Sequence, residues 1–194
     1  RFENFAHSRA PRFTQPLLLE AITRISYGLV KKFVLVELVI NRSAPHDTRH
    51  ILEAIPVWFP AFAPRHLVPA MSRLPAAYAW QFVVNHFIGG YLDFSAYNDI
   101  AIGAGLLFGI KLAANFDYPI LATNIGEFWK RWHISLSNWC QRYVYLPTMA
   151  ATRSPYLAIY ATMLVMSLWH EGSIGFLLRG VYHGSLIVIF VTWG

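Results

Sequence analysis

The run Tyr156 to Leu168, YLAIYATMLVMSL, carries no charged side chain and ends directly in Trp169-His170. A mostly apolar run from 174 to 193 follows it across the short break HEGSIG. Backbone groups inside a bilayer must be satisfied within the segment itself, so two such runs read as membrane helices joined by a tight turn. An ionisable imidazole is costly at that depth, which makes His170 a functional candidate from its position alone. Composition points the same way: 13% of the residues are charged and 56% are apolar, against about 25% charged in soluble domains.

Lys and Arg number 16 against 10 Asp and Glu. The surplus lies between hydrophobic runs, as in cytoplasmic loops of membrane proteins, and no nucleic-acid recognition motif accompanies it. Nucleic acid is therefore not an expected partner, whereas the lipid bilayer is. The single cysteine, Cys140, excludes an internal disulfide framework and a multi-cysteine zinc site. The basic, polar start RFENFAHSRAPRF lacks the apolar core of a signal peptide. With no initiator Met and a last stretch SLIVIFVTWG, the chain is expected to be an internal piece of a larger protein.

The expected fold class is all-α: a multi-pass integral membrane protein in which residues 1–194 form part of one transmembrane domain. Segment 17–40 is long enough to span, yet holds Glu20, Arg24, Lys31, Lys32 and Glu37. Lys31 and Lys32 are expected to snorkel to an interface or to divide the segment. Residues 41–50 read as a polar loop, and Pro56, Pro60, Pro64 and Pro69 imply short or interfacial helices after it. Segments 75–92 and 100–114 read as separate apolar helices. Gly105 and Gly109 stand at the G-x-x-x-G spacing of close helix contacts. Asn124 followed by Glu127 predicts a helix start, and Pro147 its end at 146. On that helix Phe128, Trp132, Ser135, Leu136, Trp139 and Tyr143 share one face, with Lys130, Arg131, Asn138 and Arg142 elsewhere. This suits a helix at the membrane–water boundary.

Three blocks in order carry a family resemblance. They are YLDFSAYNDIAIGAGLLFGIKLAANFDYPILATNI (91–125), EFWKRWHISLSNWCQRYVYLP (127–147) and LWHEGSIGFLLRGVYHG (168–184). Together they resemble the membrane-bound O-acyltransferases, in the bacterial polysaccharide-modifying branch that includes alginate O-acetylation proteins. The chain departs from the family pattern at Glu171, where a glycine is common, at Arg179, where a tryptophan is common, and at Ala96 and Asn98. The resemblance implies transfer of an acyl group, expected to be acetyl, to a hydroxyl of a cell-envelope polysaccharide. It implies an acyl thioester or similar donor as co-substrate and no resident cofactor. The implied partners are a glycan acceptor, an acyl donor or carrier and periplasmic acetylation proteins, at the bacterial inner membrane.

A hydroxyl is a weak nucleophile at neutral pH and needs a base within hydrogen-bond reach, usually neutral imidazole. By the resemblance His170 is that base, and His133 is the second functional histidine. The plain alternatives are a histidine bonded to a helix carbonyl and an interfacial residue on an aromatic helix. Trp129 lies one turn before His133 and is placed to pack near it. Asp93, Asn98 and Asp99 either line a substrate channel or cap a helix beginning near Ile100. Arg131, with Lys130 and Arg142, binds an anionic donor or lipid headgroups. Glu171 orients His170 or faces an aqueous vestibule, and His183 is structural or part of the site. No metal is expected, because His170-Glu171 does not extend to H-E-x-x-H. D-alanyl or lipid O-acyl transfer is the alternative chemistry. A transporter with histidines in a polar pathway is the non-enzymatic one.

Overall fold

In a computed structural model, residues 14–40 and 76–194 are described. The polar loop and proline-delimited helices expected within 41–75 lie outside the described residues. The chain divides between Ala113 and Ala114 into two compact units. The described residues are helical throughout, apart from turns and one isolated bridge.

The first unit is built from α1 (Gln15–Leu29), a π-helical continuation (Val30–Ile40) and the long α2 (Ala76–Leu107). Pro at the first turn of α1 lacks only an N–H that would be unpaired there anyway. The helices approach closely where Gly28 meets Ala96 and Ile100, and where Gly103 meets Ala21 and Ile25. Ala21, Ile102 and Leu106 form the buried apolar centre of this contact.

Three expectations for this unit are corrected. Segments 75–92 and 100–114 do not form two helices: α2 runs through the polar stretch between them, and Asn98 and Asp99 sit in mid-helix, not at an N-cap. The helix need not break because its carboxylates are neutralised from α1 and its continuation. Asp99 accepts from Arg24 at 2.8 Å and Lys31 at 2.6 Å, and Asp93 accepts from Lys32 at 2.6 Å. Lys31 and Lys32 therefore turn to a neighbouring helix instead of snorkelling, whereas the division of the segment expected at them is present, as the change from α to π register at Val30. The 105/109 glycine pair, thirdly, is not a helix–helix seam. Gly109, at φ 75°, is the left-handed residue after α2. Its N–H donates to Leu106 and that of Ile110 to Gly105, which satisfies the last carbonyls.

The second unit holds α3 (Ile125–Arg131), α4 (Ile134–Cys140), a π-turn (Gln141–Tyr145), α5 (Leu146–Thr152), α6 (Pro155–His170) and α7 (Ile174–Trp193). The pair α6–α7, broken at 171–173, matches the sequence reading. Ser154 caps α6 by accepting from the Leu157 N–H, with Pro155 in its first turn. A working G-x-x-x-G lies on α7: Gly180 abuts Leu164 and Met163, and Gly184 abuts Tyr160. Tyr160 and Ser185 add a hydroxyl–hydroxyl bond of 2.9 Å.

The single helix expected from 124 to 146 is interrupted twice. It breaks at Trp132-His133, and Pro147 starts α5 instead of ending a helix. A π-turn just before Pro147 takes the ladder into i→i+5 register, with Leu146 N–H bonded to Gln141. The proline then falls in a first turn, where its missing N–H costs nothing. Among the described residues, α7 is the one helix long and apolar enough to cross a membrane. Its outward side chains include Ile174, Leu178 and Trp193 at 78%, 60% and 81% exposure, the pattern of a lipid-facing surface.

Candidate active site

The site is assembled by a chain reversal in front of α3. Asn124 caps α3 as its sequence foretells, accepting from the Glu127 N–H at 2.8 Å. The Glu127 carboxylate reaches back to the Thr123 N–H at 2.8 Å and its hydroxyl at 2.9 Å. These bonds, led by the backbone donor and joined by Arg131, hold the Glu127 carboxyl down at about 2. Arg131, one of the expected binding cations, ties Glu127 to the Asp117 carbonyl. Lys130 and Arg142 are exposed.

After α3 the chain does something that no periodicity reveals. Trp132 is extended and bridges to Phe116, and His133 adopts the left-handed conformation at φ 45° and ψ 56°. Segment 115–117 grips both sides of this kink. Asp117 N–H donates to the Arg131 carbonyl at 3.0 Å, and Ile134 N–H donates to the Asn115 carbonyl at 2.9 Å. The Asn115 side chain accepts from Ser135 N–H at 3.0 Å. A left-handed histidine costs about 1–2 kcal/mol, and this grip holds it there. The effect is to swing the imidazole of His133 away from the helix surface, against α6.

There it meets the residues singled out by sequence. The Trp169 ring lies edge-on to both histidines, 6.5 Å from His133 and 4.9 Å from His170. His170 is the last residue of α6 and stacks over Phe176 of α7 at 6.1 Å. Arg179 lies over the Phe176 ring at 6.0 Å, within charge–charge reach of His170 and His183. Burial pushes the His133 imidazole below its ordinary value, which favours the neutral ring. Trp129 does not pack on His133; its ring is edge-on to His183 at 5.2 Å. The structure thus groups His133, His170, Trp129, His183 and Arg131 in one unit. Glu171 caps α6 in extended conformation and is exposed, and among the described residues it forms no hydrogen bond or ion pair. Asp93, Asn98 and Asp99 belong to the other unit. Asn115 and Phe116 were missed by the sequence reading, although they stand in the first block, as A-A-N-F-D-Y-P. Among the described residues no group of three or more His, Cys, Asp or Glu is placed to hold a metal ion.

A neutral imidazole at a helix end, a second beside the same indole and a nearby guanidinium suit proton removal next to a developing negative charge. Comparison with known proteins narrows the chemistry. The family model for membrane-bound O-acyltransferases matches residues 56–193. The chain is 39% identical over 114 residues to the probable alginate O-acetylase AlgI of Pseudomonas fluorescens, covering 57% of this chain and 23% of that protein. It is 40% identical over 115 residues to the peptidoglycan O-acetyltransferase of Helicobacter pylori, covering 57% and 22%. Against the teichoic acid D-alanyltransferase of Streptococcus thermophilus, identity is 26% over 187 residues, covering 91% and 41%. The chain spans about a quarter of the length of the O-acetylating relatives.

Proposed function

The chain belongs to the membrane-bound O-acyltransferase family, and we propose that the protein containing it transfers an acyl group, acetyl above all, to a hydroxyl of a cell-envelope polysaccharide. The observation that carries this reading is the shared contact of His133 and His170 with Trp169. It joins the FWKRWHISLS block to the LWHEGSIG block, although 36 residues separate the two histidines in sequence. The relatives that act on alginate and peptidoglycan support acetyl over D-alanyl.

In the proposed reaction, a ring nitrogen of neutral His170 accepts the proton of the acceptor hydroxyl while its oxygen attacks the acyl carbonyl. The new C–O ester bond forms, and the bond to the donor's leaving group breaks. The leaving group departs with the proton that His170 received. His133, held neutral by burial, hydrogen-bonds the reacting groups and orients them. On this reading the exposed flank of Trp169 is the side on which the glycan approaches. The same reading makes the protein a multi-pass protein of the inner membrane, with α7 as one span.

The test is mass spectrometry of envelope glycans from cells whose full-length protein carries His170→Ala. Loss of glycan acyl groups at unchanged protein level supports the reading. Full acylation in that variant removes His170 from the chemistry. D-alanyl esters in place of acetyl esters would move the protein to the other branch.

A further inference from the structure

Two polar atoms in the same unit as the histidine pair have no role in the reaction just described. Trp129 Nε1 and His183 Nδ1 are both buried, and neither has a hydrogen-bond partner among the described residues. Their rings touch edge to face at 5.2 Å. An indole N–H is a donor and nothing else, and a buried donor left unpaired is costly, so such atoms are rare without a reason.

The two rings have little freedom to escape. Trp129 packs on the buried cluster of Cys140, Met163 and Met166. α3 is laid against α7, with Gly126 beside Phe190 and Trp129 beside His183. Tyr182 flanks His183 at 5.3 Å. Arg179 stands one turn before His183 and within charge–charge reach of it. The neighbourhood therefore offers a fixed N–H, an adaptable ring nitrogen and a positive field. That combination fits an oxygen carrying partial negative charge.

We propose that Trp129 Nε1 and His183 Nδ1 form a subsite for a carbonyl oxygen, that of the acyl donor's ester or thioester. Trp129 donates to the oxygen, and His183 donates to it from Nδ1. The assignment rests on the acyl-transfer reading and adds to it two binding residues on the donor side. It also explains why a polar histidine sits on the face of α7 turned to an aromatic helix.

The experiment uses the full-length protein in detergent micelles, with acetamide as a carbonyl probe that is not turned over and p-nitrophenyl acetate as donor. The Trp129 indole N–H resonance, assigned by its loss in Trp129→Phe, is expected to shift as acetamide is added. Trp129→Phe keeps an aromatic ring and removes the N–H donor, so kcat/KM for p-nitrophenyl acetate should fall about 5- to 10-fold. His183→Phe should do the same. His183→Asn, whose amide nitrogen takes the place of Nδ1, should restore most of kcat/KM. An unmoved indole resonance, together with unchanged kcat/KM in the variants, overturns the proposal and leaves the pair to a resident water. A shift with glycerol but not with acetamide also overturns it. If p-nitrophenyl acetate is not turned over by the wild type while acetamide still moves Trp129, the reaction reading fails and the subsite stands. Should Trp129→Phe not fold, an acetamide-induced indole shift that is present in the wild type and absent in His183→Phe decides.

Discussion

Asn115 caps a helix that begins nineteen residues later in the chain: its side-chain oxygen accepts the Ser135 N–H at 3.0 Å, while its carbonyl accepts from Ile134 at 2.9 Å. This is the work that an N-cap residue usually does. The residue at the cap position, His133, makes no side-chain cap bond. The capping function has been handed to a distant asparagine, which frees the histidine to point elsewhere.

Asn115→Ala is therefore expected to cost about 1 kcal/mol of stability, the usual effect of a lost cap. Because the same bond sets the direction of His133, acyl transfer should fall more than the stability loss explains. Thermal melting and transfer rate measured on the same full-length preparation test this. Equal rates in wild type and variant would show that the His133 kink holds without the cap.

His133 allows conformation and chemistry to be separated. At φ 45° a glycine is strain-free and an alanine is not, so His133→Gly should be more stable than His133→Ala by about 1 kcal/mol. Both should lose transfer activity to a similar extent, because both lack the imidazole. If His133→Gly keeps activity that His133→Ala loses, the residue serves the backbone alone. Burial also disfavours the charged ring in the fold. With a folded value below the ordinary 6.5, its contribution to stability is present above that pH and lost as pH falls through the lowered value.

Glu127 sets a lower pH window. Its carboxyl is held at about 2, against an ordinary 4.5, by hydrogen bonds from Thr123 and Arg131. A depressed folded value means stability that is present above about 4.5 and lost progressively as pH falls toward 2. Melting temperature followed from pH 6 to pH 3 should decline in the wild type, and part of that decline should vanish in Glu127→Gln. Parallel curves for the two proteins would show that the Thr123–Glu127–Arg131 network is not linked to acid stability.

In the first unit, Asp99 neutralises two cations with a side chain only 9% exposed. Asp99→Asn leaves Arg24 and Lys31 facing each other and should cost about 2 kcal/mol, below the range for fully buried pairs because Arg24 is 42% exposed. Replacing Arg24, Lys31 and Asp99 together by leucine should cost less than Asp99→Asn alone, since no charge is stranded. Melting temperatures of the two variants rank these outcomes. A milder Asp99→Asn would show that the cations find other partners.

Local signals were legible where the chemistry is local. The caps at Asn124 and the break between α6 and α7 follow from side chains within a turn of the feature they produce. The three sequence blocks pointed to the family, and two of them supply His133 and His170. What misled was also local. Polar residues in mid-helix resembled a helix start at Asn98-Asp99, although their partners lie in another helix. Two G-x-x-x-G spacings looked alike, yet Gly109 ends a helix while Gly180 and Gly184 seat one helix on another. Spacing cannot tell these apart, because the difference is whether a second backbone approaches.

By itself, the sequence determined an all-α chain with a lipid-compatible helix, the family and the two candidate histidines of its motif blocks, because composition, periodicity and short motifs act within a few residues. Only the tertiary structure decided that Trp132-His133 is a kink, that Asn115 holds it and that Trp129 turns to His183 instead of His133. These arrangements depend on hydrogen bonds and ring contacts between residues fourteen to fifty-four positions apart. A bond of that kind is cheap once the helices are packed and invisible before, because its energy exists only when both partners have already been brought together.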